Sequence, residues 1–106
     1  MKELKHLSEV YKKYDTFVID LWGVMHNGVV LNSNAVEVVD QLKNNSKKVV
    51  FLSNAPRPSS KVANFLLKMN LDKKYLSNVI TSGEAAMHAI NENKFGKTFF
   101  HLGPPR

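Results

Sequence analysis

Two apolar runs in this 106-residue chain each stop on a polar tip, and the two tips are chemically complementary. Thr16 to Val24 reads TFVIDLWGV and delivers one carboxylate, Asp20, before Trp22-Gly23 breaks the run. Val49 to Leu52 is the second run, and it ends at Ser53-Asn54, a hydroxyl beside an amide. A carboxylate held on rigid backbone next to an open loop can act as a nucleophile or a metal ligand. A hydroxyl, an amide and nearby backbone N–H groups can hold the equatorial oxygens of a phosphoryl group while the carboxylate attacks phosphorus. Attack by an anion on a dianion calls for neutralisation. Mg²⁺ is therefore expected, bound through oxygen by Asp20 and a backbone carbonyl.

Such tips meet only if strands and crossovers put them on one sheet edge. Short β-branched and aromatic runs bounded by turn signals read as buried strands, with Asp20 at the carboxyl end of the first. Open α/β sheets bind ligands at that edge. Leu4, Leu7, Tyr11 and Tyr14 repeat at helical spacing, so an amphipathic helix is expected to lead into the Thr16 strand. Asn27-Gly28 between apolar pairs predicts a small hairpin folded over the strand end. Asn34 with Glu37 makes a capping-box pattern for a helix to about Asn45, with Ala35, Val38, Val39 and Leu42 as its apolar face.

Pro56 and Pro58 close the turn after Ser53-Asn54, and Val62, Phe65, Leu66 and Met69 mark the next helix face. Val79-Ile80 is a short strand candidate, and Thr81 with Glu84 opens a helix through about Asn93, stopped by Gly96. Lys97 to Leu102 is expected to be a last strand. The alternation predicts an α/β fold: a partial doubly wound, Rossmann-like, mostly parallel sheet of three to four strands with helices on both faces.

Bulk composition narrows the function classes. No apolar run approaches the roughly 18 residues of a membrane span, and the N-terminus lacks the apolar middle of a signal peptide. The chain has no cysteine, which excludes disulfides and thiol catalysis and makes a cytoplasmic location the simplest expectation. The net charge is +6, yet only Arg57 and Arg106 among the 15 basic residues can make planar bidentate contacts. The lysines fall as scattered pairs such as Lys12-Lys13, Lys47-Lys48 and Lys73-Lys74, which suit solvated helix ends rather than a nucleic-acid stripe. His6, His26, His88 and His101 lack paired metal-ligand spacing, and His26 reads as a surface residue of the loop. Neither a dinucleotide fingerprint nor a Walker-type loop is present. Taken singly, Asp20 could cap a turn, Ser53-Asn54 could be a turn pair, and Trp22 could be a hydrophobe shielding the strand end.

Together the residues resemble the haloacid dehalogenase (HAD) superfamily, and within it the class IIA, nitrophenylphosphatase-like and sugar-phosphatase-like branch. Asp20-Leu-Trp-Gly-Val24 is similar to the family's first motif, in which Asp, any residue, Asp, Gly and Val follow an apolar strand. Val50 to Asn54 resembles the second motif, a strand ending in Ser or Thr, and Asn54 to Arg57 the Asn-rich turn of this branch. His26 to Gly28, Ile80 to Glu84 and Leu102-Gly103 resemble segments at matching positions, so the likeness runs along essentially the whole chain.

The resemblance implies a Mg²⁺-dependent phosphate monoester hydrolase acting on a small phosphorylated metabolite. Asp20 would form an aspartyl-phosphate and bind Mg²⁺, the Trp22 backbone carbonyl would be a second metal ligand, and Ser53 would bind the phosphoryl group, with Asn54 beside it. It also implies a third-motif Lys, a fourth-motif acid and a cap, none of which can be located before Pro104-Pro105-Arg106. Residues 1–106 are therefore expected to form one incomplete core domain, weak or inactive alone, completed by another chain or by a homo-oligomer. The alternatives are a silent fragment of a split or decaying gene and a phosphate- or partner-binding module. Trp22 stands where the phosphatases carry a general-acid Asp, and indole cannot transfer that proton at neutral pH.

Overall fold

A computed structural model describes residues 3–103. Pro104-Pro105-Arg106, where the cap is expected to begin, lie outside the described residues. Three strands form one sheet: β1 (Thr16–Asp20), β2 (Lys48–Ser53) and β3 (Val79–Thr81), in the order β1-β2-β3. Both pairings are parallel, with Thr16 opposite Lys48 through Asp20 opposite Leu52, and Phe51 opposite Val79 through Ser53 opposite Thr81. The expectation of a partial Rossmann-like α/β sheet is met with three strands.

Period-two alternation decides which side of the sheet is packed. Phe17 and Ile19 of β1 and Val49 and Phe51 of β2 turn to one face, where α1 (Ser33–Asn44) contributes Val39 and Leu42 and α2 (Ser59–Lys68) contributes Val62 and Leu66. Right-handed crossovers that advance in one direction across a sheet place both helices on the same side. Leu71 and Tyr75 close this core from the loop before β3. α3 (Ser82–Asn91) leaves β3 toward the opposite face, where its Ala85 borders a hollow with Val18, Leu52 and Ile80. Those three apolar residues remain 62%, 47% and 49% exposed, so the second face is mostly bare. The accessible surface of 8306 Å² is correspondingly large. A compact chain of this size would expose about 6,000 Å².

Four local expectations are corrected. Residues Leu7–Glu9 and Tyr11–Lys13 form two short 3₁₀ turns instead of one amphipathic helix. His6 and Glu9 satisfy each other's backbone in a capping box that ends in a single turn, and Val10 leaves helical geometry with φ −130°. α1 is capped by Asn32 rather than Asn34, the Asn32 side chain accepting from the Ala35 N–H at 3.4 Å. Lys97–Leu102 forms no strand, and Phe100 and Leu102 are each 87% exposed. At α3 only half of the capping box forms: Thr81 accepts from the Glu84 N–H at 3.1 Å, but the Glu84 carboxylate turns away to the Ser59 N–H at 2.9 Å.

Phe51 is fully buried at the centre of the packed face. Phe51→Ala is predicted to lower unfolding free energy by about 3–5 kcal/mol in urea titrations, whereas Val18→Thr on the bare face stays within about 0.5 kcal/mol.

Candidate functional site

Parallel pairing delivers the two polar tips to the same edge. Asp20 closes β1 opposite Leu52, and Ser53 follows one residue later on the adjacent strand, itself opposite Thr81. Asp20, Ser53, Asn54 and Thr81 border one hollow at the carboxyl ends of the strands. Asp20 is exposed, and its Oδ1 accepts from the Leu21 N–H at 2.7 Å. Ser53 is half-buried, with its Oγ accepting from the Ala55 N–H at 3.2 Å, and Asn54 stands exposed at the tip. The hydroxyl proton of Ser53 is thus free to donate to a ligand oxygen.

The turn after Ser53 is held from below by the start of α3. Gly83 N–H and Ser82 Oγ both donate to the Ala55 carbonyl at 3.0 Å, and Thr81 Oγ1 donates to the Arg57 carbonyl at 2.6 Å. Gly83 permits this approach: a Cβ there would lie 2.3 Å from the Arg57 nitrogen. Thr81, Ser82 and Gly83 therefore position the second tip. Their sequence signal was the capping pattern, which foretold a helix start and said nothing of the turn it would brace.

The loop after β1 is equally fixed. Leu21 and Met25 are buried in the core, and the Met25 and Gly23 N–H groups bond to the Leu21 and His26 carbonyls at 2.8 Å. Asn27 Oδ1 accepts from the Val29 and Val30 N–H groups, and Gly28 takes φ +92°, so the turn signal at Asn27-Gly28 is realised as a side-chain-closed loop.

His26 corrects the surface expectation: it is only 6% exposed, wedged edge-on between Trp22 and Phe65 with ring centroids 5.5 Å apart on each side. Its Nδ1 accepts from the Gly28 N–H at 3.0 Å, which leaves the proton of the neutral ring on Nε2. Burial holds the imidazole below its ordinary pKa, and the negative charge of Asp20 opposes that in part.

The oxygens at the β1 tip suit a hard cation. Asp20 Oδ2 makes no hydrogen bond among the described residues, and the Trp22 carbonyl accepts none from the backbone there. Two oxygen donors with water completing the octahedron fit Mg²⁺ chemistry. No cluster of three or more His, Asp or Glu occurs among the described residues, so the chain offers one carboxylate to such an ion.

Comparison with known proteins bears on the family and the fold. Residues 17–106 match the family described as haloacid dehalogenase-like hydrolase. Among solved structures, a hydrolase of the haloacid dehalogenase-like family from Brucella suis 1330 superposes with a TM-score of 0.75 at 26% identity, covering 84% of this chain and 34% of that one. The hypothetical protein PH1952 from Pyrococcus horikoshii OT3 gives a TM-score of 0.60 at 26% identity, covering 74% of this chain and 30% of that one. The chain thus spans about a third of the length of each. No curated protein matches it. Among the described residues no helix is long and apolar enough to cross a membrane.

Because Asp20 raises the His26 pKa while burial lowers it, an NMR titration is predicted to place His26 below about 6.5, the ordinary histidine value, and Asp20→Asn to lower it further. The folded state then binds this proton less readily than the unfolded chain, so the stability His26 contributes is complete above about pH 6.5 and declines as pH falls toward the folded pKa. Urea unfolding at stepped pH reads that slope.

Proposed function

The chain belongs to the haloacid dehalogenase-like hydrolases, and from that premise we propose that it is the nucleophile-bearing part of a Mg²⁺-dependent hydrolase of small phosphate monoesters. The observation that carries the reading is the shared edge: a carboxylate with one free oxygen on β1, and a hydroxyl free to donate on the adjacent strand, around one hollow. In this reading Asp20 attacks phosphorus, and Ser53 Oγ with the Asn54 amide holds the oxygens that carry the developing charge. The Asp20 carboxylate and the Trp22 carbonyl would hold Mg²⁺, whose charge would offset the repulsion between carboxylate and phosphate.

Catalysis then requires groups that the carboxyl-edge hollow lacks among the described residues. No lysine or second acid borders it. The bare side of the sheet points the same way, since parallel sheets are ordinarily covered on both faces. Val18, Leu52 and Ile80 offer an apolar bed on which further polypeptide would pack, whether from a complementing chain or a second copy. A silent fragment and a pure phosphate-binding module remain the competing readings, and they differ in what the purified chain does.

Two measurements test the proposal. Calorimetry with inorganic phosphate and Mg²⁺ is expected to give weak binding that Asp20→Asn removes. Equal heats for the two proteins would sink the phosphate site. The chain alone is expected to hydrolyse an activated aryl phosphate negligibly, and robust turnover abolished by Asp20→Asn would overturn the view that it needs completion.

A further inference from the structure

We infer that Trp22 selects the leaving group, restricting the reaction to phosphate esters of planar aromatic alcohols, an inference that rests on the phosphoryl-transfer function proposed above. Trp22 lies two residues beyond Asp20 and is 66% exposed, yet it is not loose. The His26 ring abuts it edge-on at 90°, and His26 is itself backed by Phe65. Its six-membered ring lies over Gly28 so closely that a Cβ there would come within 2.5 Å of the ring. An exposed apolar ring normally gains by collapsing onto its surroundings. Here the neighbours hold it while leaving most of its surface open, as a binding platform requires. The same loop, which follows Asp20 directly, carries Val24, Val29 and Val30, all exposed.

Leaving-group chemistry narrows the class in the same direction. Attack by Asp20 forms an Oδ–P bond as the bond from phosphorus to the ester oxygen breaks, and the electron pair departs on that oxygen. Indole cannot protonate it. A phenol-type oxygen, with a pKa of about 10, tolerates leaving as an anion and takes its proton from solvent. An alkoxide is a far stronger base, nearer to hydroxide, and would leave far more slowly. Water then attacks phosphorus, the Oδ–P bond breaks with its electrons returning to Asp20, and phosphate departs while the water proton passes to solvent. The position that cannot donate a proton is thus occupied by the side chain best suited to stack on the leaving group that does not need one.

Trp22 is the sole tryptophan, so its fluorescence reports the platform directly. The full chain, with Mg²⁺, would be titrated with phenyl phosphate, cyclohexyl phosphate and inorganic phosphate, following both fluorescence and heat. Phenyl phosphate is expected to bind roughly ten-fold more tightly than cyclohexyl phosphate, in the range of base–aromatic stacking, and to perturb the emission. In Trp22→Ala the ratio of the two affinities should fall to about one, and in Trp22→Phe it should be partly kept. Because the ratio is read within each protein, a change in overall folding or affinity does not imitate the effect. Equal affinities in the wild type, or a preference that survives Trp22→Ala, would overturn the inference while leaving the phosphate site intact. Failure of all three ligands to bind would overturn the phosphate reading and this inference together.

Discussion

The parallel register between β1 and β2 is the constraint on which the rest depends. Sliding either strand by one residue would turn Phe17, Ile19, Val49 and Phe51 out of the core and carry Asp20 to the packed side. The apolar alternation that buries one face therefore also sets where the carboxylate emerges. Phe51, which anchors the core, is two residues from Ser53, so folding energy and site geometry are tied through the same short strand. The loops that follow are then fixed by local means: Leu21 and Met25 pin the first, and the start of α3 braces the second.

One face of the sheet is spent on stability and the other is left open. α1 and α2 share the packed side, while Val18, Leu52 and Ile80 stay substantially exposed. The radius of gyration of 16.6 Å exceeds the roughly 13 Å of a compact domain of this length. A carboxylate at the rim of an uncovered sheet is well placed to meet a substrate but poorly shielded from water. That would weaken the electrostatic interactions on which the proposed phosphoryl transfer relies.

Much of this was legible in the residues because it rests on short-range pattern. The two apolar runs, their polar tips, the core positions Val39, Leu42, Val62 and Leu66 of α1 and α2, and the Thr81 cap are all encoded within a few residues of where they act, and each occurs as expected. What escaped depends on contacts between distant segments. His26 reads as a surface histidine because it sits beside the Asn27-Gly28 turn, and one of the two rings that bury it, Phe65, comes from almost forty residues away. Gly83 looks like an ordinary residue of a first helical turn until the Arg57 backbone is laid against it. The Lys97–Leu102 run has strand composition but no partner strand beside it, and the N-terminal periodicity, with Leu7 and Tyr11 only partly buried against the core, is too short to hold a helix. Trp22 was visible as a substitution in a motif, whereas its immobilisation by His26 and Gly28 was not.

The central claim is that Asp20 is poised to accept a phosphoryl group. Fluorine NMR with beryllium fluoride and Mg²⁺ tests it most directly, because trifluoroberyllate bonds to a carboxylate oxygen in the tetrahedral geometry of an acyl phosphate. A protein-bound fluorine signal that appears in the wild type and is absent in Asp20→Asn is the predicted result. No bound signal in the wild type, or the same signal in both proteins, would contradict the account.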